Sequence, residues 1–260
     1  MFPIRDDNPQ LLRPYGTYAI IGLNVLVWAL VQGFGATEPL LSSICSFGLV
    51  PAKLMQALPP GAAIPVGSGY VCDLSGGLGW TTMLTSMFMH GGWMHIIGNM
   101  WFLYIFGDNV EDIMGTRRFV IFYLLCGLAA SALQVATDPG SAVPMVGASG
   151  AIGGVMGAYI VLFPRVHVHM LVPIGFILTT FAVPAVFMLA YWLLVQLVSG
   201  VVSLGAQGGG VAFWAHVGGF VGGMALVYLF RDRRLLARHP YHGWRQRGSP
   251  TRSWHRINRR

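Results

Sequence analysis

The chain is poor in charged residues, and this scarcity excludes most water-soluble folds. Only 10% of its 260 residues are charged and 55% are apolar, whereas about 25% of an ordinary soluble domain is charged. The net charge of +7 is confined to one end: residues 231–260 contain ten Arg and one Asp, and the rest of the chain has six Lys or Arg and eight Asp or Glu. The basic character therefore belongs to a tail and does not indicate a nucleic-acid-binding protein.

Cysteine is also scarce, which excludes a disulfide framework as the basis of the fold. The three cysteines are Cys45, Cys72 and Cys126. Cys126 lies in an apolar run and is predicted to be a packing residue. Cys45 and Cys72 fall in one long loop and could pair if that loop faces an oxidising compartment, so the sequence leaves their pairing open.

Acidic residues are absent from the apolar runs, and this absence excludes several membrane functions. An intramembrane aspartyl protease needs two such carboxylates, and a proton-coupled transporter usually needs one. The motif His-Glu-x-x-His is also missing, which argues against an intramembrane zinc protease. A channel or transporter for small solutes is further disfavoured because the chain has no internal repeat. Histidine, serine and asparagine remain as candidate functional groups.

The uncharged apolar stretches predict six membrane spans, since roughly 20 apolar residues cross the hydrocarbon core. The first is predicted to be a retained span and not a cleaved signal peptide. Residues 166–183 fit no span and are predicted to form a short hairpin or an interfacial segment. The predicted spans are 17–34, about 93–106, 118–138, 138–165 with an opening loop at 139–144, 184–201 and 211–230.

Basic residues in three separate loops predict one orientation for these spans. The Arg-rich tail, the Arg117-Arg118 loop and the Arg165 loop are all expected on the cytoplasmic side, where basic residues are retained. Both termini are then cytoplasmic, and the long first loop, about residues 35–92, lies outside. The predicted regions are a cytoplasmic segment at 1–16, a membrane domain at 17–230 and a basic cytoplasmic tail at 231–260.

Polar residues cluster near the outer ends of three predicted spans. His95 and Asn99 are four residues apart and share one helix face. Ser149 occupies the first turn of the fourth span, where free backbone N–H groups and the helix dipole can stabilise an oxyanion. His216 lies near the outer end of the sixth span. Each of these residues alone is more typical of packing or helix contacts, but at one depth they supply a nucleophile, a base and two oxyanion donors.

These motifs, in this order, resemble the rhomboid intramembrane serine proteases over about residues 17–230. The resemblance implies an all-α, polytopic six-helix bundle with a long first extracytoplasmic loop. It implies that Ser149 is the nucleophile and His216 the general base and then acid. An oxyanion hole would be formed by His95, Asn99 and the backbone N–H of Ser149. It implies no metal and no other cofactor. The segments that carry the resemblance are His90-Gly-Gly-Trp-Met-His95-Ile-Ile-Gly-Asn99, Phe106-Gly-Asp-Asn-Val-Glu111, Gly147-Ala-Ser149-Gly150 and Ala215-His216-Val-Gly-Gly219.

Four further residues are expected to have structural roles near the site, namely His90, Gly147, Gly150 and Gly219. The chain departs from the family at two positions. An aromatic residue that some members place one turn after the serine is here Gly153, so other packing must orient His216. An Arg often found in the first loop is here Thr82.

The resemblance also implies the substrate, which is a transmembrane helix that enters between spans two and five and unwinds near the outer membrane boundary. Residues 199–210 are expected to form a mobile loop over the site. The expected partners are membrane proteins and the bilayer, with anionic headgroups at the tail and no nucleic acid. The expected location is the plasma membrane of a prokaryote. A catalytically silent rhomboid-like protein that binds membrane segments for trafficking or degradation is the alternative.

Overall fold

The computed structural model describes residues 2–59, 61–66, 69–74, 79–175, 177–204 and 211–241. Within these ranges the protein is mostly helical, with two small antiparallel sheets. The α-helices are α1 Tyr15–Leu30, α2 Thr37–Phe47, α3 Pro51–Leu54, α4 Thr82–Thr85, α5 Trp93–Met114, α6 Thr116–Thr137, α7 Ser149–Leu162, α8 Ala185–Ser203, α9 Phe213–Phe230 and α10 Arg233–Arg238. The strands are β1 Phe2–Asp6, β2 Ala63–Val66, β3 Tyr70–Asp73, β4 His167–Ile174 and β5 Ile177–Pro184.

Three helices, α6, α8 and α9, are long and apolar enough to cross a membrane by themselves. The apolar helices α1 and α7 are shorter. Helix α5 has 22 residues and ends at Met114 rather than near residue 106, where the predicted second span ends. It continues because the acidic residues in its last two turns, including Glu111 and Asp112, are buried and accept hydrogen bonds there.

The central helix of the bundle is α7, which packs against α5, α6 and α9 and is buried along most of its length. Glycines let α7 and α9 approach until their backbones touch. A Cβ atom on Gly219 would lie 1.8 Å from the carbonyl oxygen of Gly150, and one on Gly223 would lie 1.9 Å from that of Gly154. No larger residue fits at these two crossings. The glycine contacts therefore set the position of the first turn of α7 relative to the first turn of α9.

The larger sheet has the order β1-β4-β5. Strands β4 and β5 form a hairpin in register from His167 opposite Pro184 to Ile174 opposite Ile177, which is one of the two predicted alternatives for residues 166–183. Strand β1 lies within the predicted segment 1–16 and pairs with β4, an element that the sequence analysis did not predict. We call this end of the bundle the sheet end, and the opposite end, where α5, α7 and α9 begin, the site end.

Buried carboxylates at the sheet end hold the chain as it enters α1. The side chain of Glu111 accepts hydrogen bonds from the backbone N–H groups of Gly16 and Thr17, each at 2.8 Å. These N–H groups belong to the first turn of α1 and have no partner within the helix, so a carboxylate satisfies them and complements the helix dipole. Asp112 accepts from the N–H groups of Leu11 and Leu12 at 2.6 and 2.7 Å.

The long first loop is cross-linked within itself by a disulfide and attached to the site end by backbone contacts. Cys45 and Cys72 form a disulfide that joins α2 to β3, which resolves the pairing that the sequence left open. Cys126 is a buried free thiol, as predicted. Leu49 and Met145 exchange two backbone hydrogen bonds of 2.9 and 2.7 Å, so the loop is tied to the segment that leads into α7.

Candidate active site

Ser149 and His216 are in hydrogen-bond contact at the site end. Ser149 is the first residue of α7 and His216 lies in the first turn of α9. The Nε2 atom of His216 lies 2.7 Å from the Oγ atom of Ser149. A hydroxyl bonded in this way to a neutral imidazole can transfer its proton while it attacks a carbonyl carbon. The glycine contacts therefore bring a nucleophile at the start of α7 next to a base at the start of α9.

Gly147 shapes the space in front of Ser149. Its φ of +129° is unfavourable for any other residue. A Cβ atom there would lie 2.7 Å from the Nε2 atom of His95 and 3.4 Å from the Oγ atom of Ser149. The Nδ1 atom of His95 accepts a hydrogen bond from the N–H of Gly91 at 3.2 Å. This bond leaves the proton of the neutral ring on Nε2, the atom that faces Gly147 and the serine.

Asn99 completes the set of predicted donors. It lies one turn after His95 on α5 and is 7% exposed. Its Nδ2 atom has no hydrogen-bond acceptor within the part of the chain that the structure describes. Asn99, His95, Ser149 and His216 all line one cavity of about 480 Å³. The structure thus brings the four residues together around a space that can hold a substrate carbonyl.

His90 is fully buried beside this cavity and contacts His95, with 5.2 Å between the ring centres. Its backbone N–H donates to Oε1 of Gln32 at 2.8 Å, and its carbonyl oxygen accepts from Nε2 of Gln32 at 2.9 Å. Burial, with a smaller contribution from the neighbouring His95, lowers the pKa of His90 to about 3. The ring is therefore neutral at physiological pH, and the backbone of His90 ties the loop before α5 to Gln32, just after the end of α1.

The two departures from the family pattern have structural explanations. The ring of Trp192, on α8, lies 5.8 Å from that of His216 and stacks on Phe220. A Cβ atom on Gly153 would lie 3.0 Å from the carbonyl oxygen of His216 and 3.7 Å from Trp192, so the backbone of α9 and the ring of Trp192 leave little space for an aromatic residue at position 153. Thr82 is 6% exposed and donates to the carbonyl oxygen of Gly79 at 2.7 Å, which gives it a local structural role.

One contact at the site was missed by the sequence analysis. The Oε1 atom of Gln196, on α8, lies 2.7 Å from the Nδ1 atom of His216. Gln196 stands in an apolar run that contains no charged residue, and a polar side chain in such a run was itself a signal. The sequence analysis considered only histidine, serine and asparagine and therefore missed it. Residues 205–210, in the predicted mobile loop, and 242–260, in the predicted tail, lie outside the described residues.

Comparison with known proteins supports the resemblance. A family model described as the Rhomboid domain matches residues 78–233, more than half of the chain. RHOMBOID-like protein 4 of Arabidopsis thaliana is 31% identical over 185 residues, which cover 71% of this chain and 41% of that protein. Rhomboid protease GluP of Bacillus subtilis (strain 168) is 29% identical over 155 residues, which cover 59% of this chain and 26% of that protein.

An inactive relative is also similar. Inactive rhomboid protein 1 of Drosophila melanogaster is 32% identical over 85 residues, which cover 33% of this chain and 6% of that protein. The chain spans less than half the length of each of these three relatives. The family model nevertheless extends from the loop before α5 to the start of α10 and includes all four residues around the cavity. The chain therefore belongs to the rhomboid family.

Proposed function

We propose that this integral membrane protein is a serine endopeptidase that cleaves transmembrane segments of other membrane proteins. One observation carries this proposal. The Oγ atom of Ser149 and the Nε2 atom of His216 are 2.7 Å apart, and both residues line a cavity of about 480 Å³. A nucleophile paired with a base beside a cavity of this size fits acyl transfer better than any binding role.

The reaction begins when Oγ of Ser149 attacks a peptide carbonyl carbon and its proton passes to Nε2 of His216. The C–O bond forms and the carbonyl becomes a tetrahedral oxyanion. His216 then gives the proton to the leaving nitrogen, the C–N bond breaks, and an acyl-enzyme remains. A water molecule attacks the ester with His216 again as base, and the products are a new carboxyl terminus and free Ser149.

The oxyanion would be stabilised by donors from two helix starts. The Nε2–H of His95, the Nδ2–H of Asn99 and the backbone N–H of Ser149 supply three neutral donors, and the dipole of α7 adds a favourable potential. Neutral donors suit this environment because a buried charge in a bilayer is costly. Gly147 contributes by leaving room between His95 and Ser149.

The substrate is proposed to be a transmembrane helix that unwinds near the outer membrane boundary. A helix hides its carbonyl groups in hydrogen bonds, and lipid offers no replacement partners, so cleavage requires local unwinding at a site that water reaches. Substrates with Gly, Pro or small polar residues at that depth are favoured. Access between α5 and α8 is consistent with the sparse packing of α8, which contacts mainly α9.

The proposed topology has six spans, formed by α1, α5, α6, α7, α8 and α9, in a membrane domain at 17–230 with both termini in the cytoplasm. The Cys45–Cys72 disulfide supports this orientation, since disulfides form in oxidising compartments outside the cytoplasm. The plasma membrane of a prokaryote suits this arrangement. Arginines of the predicted tail, including Arg233 and Arg234 at the start of α10, are exposed and fit anionic headgroups.

The test uses the purified protein in liposomes with a single-pass membrane substrate. Ser149→Ala and His216→Ala are each expected to lower kcat at least about 10³-fold. His167→Ala, which changes an exposed histidine at the sheet end, is the matched control and should cleave like the parent. Cleavage by Ser149→Ala at the parental rate would exclude this mechanism.

A silent rhomboid-like protein that binds membrane segments is the second candidate, favoured by the similarity to an inactive relative. A fluorophosphonate probe separates the two functions because it modifies only an activated serine. If the protein is a protease, the probe should label the parent and should not label Ser149→Ala. Equal absence of labelling in both proteins, together with binding of membrane segments, would support the silent alternative.

A further inference from the structure

His216 can act as a base only in one of its two neutral forms. A neutral imidazole carries one proton, so one ring nitrogen donates a hydrogen bond and the other accepts. The serine hydroxyl needs an acceptor at Nε2, and the proton must therefore reside on Nδ1. In triads of soluble hydrolases a buried carboxylate enforces this arrangement. The Nδ1 atom of His216 faces no carboxylate and instead lies 2.7 Å from Gln196.

The amide of Gln196 is suited to hold this tautomer. Its Oε1 atom is purely an acceptor, so contact with Oε1 requires Nδ1 to carry the proton. The lone pair at Nε2 then points to Oγ of Ser149, also at 2.7 Å. The opposite amide orientation would place a donor against Nδ1 and turn an Nε2–H toward the serine, which would leave no base for the hydroxyl proton.

Helix α8 presents Gln196 to the site on a narrow buried face. Its apolar stretch is only 22% buried, compared with 44% for α9. Gln196 is 8% exposed and belongs to the few buried residues of α8, together with Gly200 one turn later. A Cβ atom on Gly200 would lie 3.2 Å from the ring of Trp214. The glycine thus lets α8 come close to α9 just before His216.

We propose that Gln196 is the positioning residue of the Ser149–His216 pair, which it serves by accepting a hydrogen bond from Nδ1–H and so keeping the lone pair at Nε2 directed to the serine. This inference rests on the proposed protease function and extends it by a third member. A neutral amide provides the orientation without a buried charge in the bilayer. It stabilises the imidazolium less than a carboxylate does, because it adds no opposite charge.

The position of Gln196 also makes the alignment of the pair depend on α8. Trp192 lies four residues earlier, on the same helix face, and contacts the His216 ring. Both supports of the imidazole therefore come from the least buried of the three long apolar helices. A displacement of α8 away from α9 would remove the acceptor at Nδ1 and the contact with the ring in a single movement.

The test compares Gln196→Leu with Gln196→Glu in liposomes. The measured quantities are kcat and KM for a single-pass substrate and the rate of fluorophosphonate labelling of Ser149. Leucine has a similar volume but no acceptor, and we expect kcat to fall about 10- to 100-fold with KM within about 2-fold. Glutamate restores an acceptor, so we expect it to recover most of kcat. Its charge stabilises the imidazolium, so the acidic limb of the pH–kcat profile should move to higher pH.

Gln10→Leu is the matched control, because it makes the same change at an exposed glutamine of the sheet end, whose side chain donates to the carbonyl oxygen of Leu12. It should behave like the parent. Equal kcat for Gln196→Leu and the parent would overturn the inference alone. Equal losses in Gln196→Leu and Gln196→Glu, accompanied by a matching fall in Tm, would also overturn it and show a packing role. A parent that neither cleaves nor labels would overturn the proposed function itself.

Discussion

The two ends of the bundle use polar residues for opposite purposes. At the sheet end, the carboxylates of Glu111 and Asp112 are occupied by backbone N–H donors from the segment that leads into α1. At the site end, the polar residues are neutral and face a cavity, and the Nδ2 atom of Asn99 has no acceptor among the described residues. The hydrogen-bonding capacity of Glu111 and Asp112 is thus used to hold the chain, whereas the Nδ2–H donors of Asn99 are left open where a substrate would bind.

This contrast predicts different consequences for substitutions at the two ends. A buried donor that loses its partner costs free energy in every molecule, so changes at the sheet end should lower the stability of the protein. A donor that faces a cavity has no partner to lose in the free protein, so changes at the site end should lower activity with little effect on unfolding.

The largest effect on stability is expected for Glu111→Ala. The substitution leaves the N–H groups of Gly16 and Thr17 and the hydroxyl of Thr116 without their acceptor, and all of them bond Glu111 in the native protein. We expect the free energy of unfolding to fall by about 3–5 kcal/mol, measured by thermal unfolding in detergent micelles.

Glu38→Ala is the matched control, because Glu38 is an exposed glutamate in the first turn of α2. Its effect should stay within about 0.5 kcal/mol. A Glu111→Ala protein that unfolds at the same temperature as Glu38→Ala would show that the carboxylate is not needed for the entry into α1, and the contrast between the two ends would be lost.

The next effect is on activity. Removal of one oxyanion donor by Asn99→Ala is expected to lower kcat about 10²- to 10³-fold, while Tm stays within about 2 °C of the parent, since the amide Nδ2 bonds no described residue. Cleavage assays and thermal unfolding on the same preparations measure both. A loss of Tm comparable to that of Glu111→Ala would mean that Asn99 supports the fold and that the two ends do not differ in this respect.

A feature of this protein could be predicted from the sequence when residues close together in the chain determine it. Apolar runs and charged loops are local patterns, and they located the apolar helices. Residues 166–183 were predicted as a hairpin or an interfacial segment, and the structure shows the hairpin. The convergence of Ser149 and His216 could also be expected, since each lies near the outer end of its own span and both were assigned to one depth. The roles proposed for these residues stay predictions until the assays above are done.

Other features depend on contacts that no local pattern encodes. Strand β1 pairs with β4 more than 160 residues away, and its five residues show no alternation that would mark a strand. The extension of α5 past residue 106 depends on hydrogen bonds that Asp112 accepts from the N–H groups of Leu11 and Leu12, which are 100 residues or more distant. Gln196 could be singled out locally as a polar residue in an apolar run, but only the tertiary packing of α8 against α9 brings it to His216.

The smallest expected effect is a difference in pH dependence between the two ends. At the sheet end, burial raises the pKa of Asp6 to about 7, opposed by a hydrogen bond from Tyr159 and assisted by the charge of Asp7. The native state then holds a proton that the unfolded state has already lost, so stability falls as pH rises from about 4 to about 7. At the site end, the lowered pKa of His90 has the opposite sign: stability falls as pH decreases below about 6.5.

Because these two slopes oppose each other between about pH 4 and pH 6.5, the pH dependence of the parent reports neither of them alone, and Asp6→Asn should separate them. Asparagine still accepts from Tyr159 but does not titrate, so Tm of the variant minus Tm of the parent should increase with pH up to about pH 7 and level off above it. A pKa of about 7 in place of 3.8 corresponds to at most about 4 kcal/mol, and the partial exposure of Asp6 to solvent reduces this. We therefore expect an increase of about 2–4 °C, equivalent to about 1 kcal/mol for a chain of this size. The subtraction removes the contributions of His90 and of the other groups that titrate independently of Asp6. A difference that stays constant from pH 4 to pH 8 would mean that Asp6 is already ionised in the native protein, and its contact with Tyr159 would then have to be that of a charged acceptor.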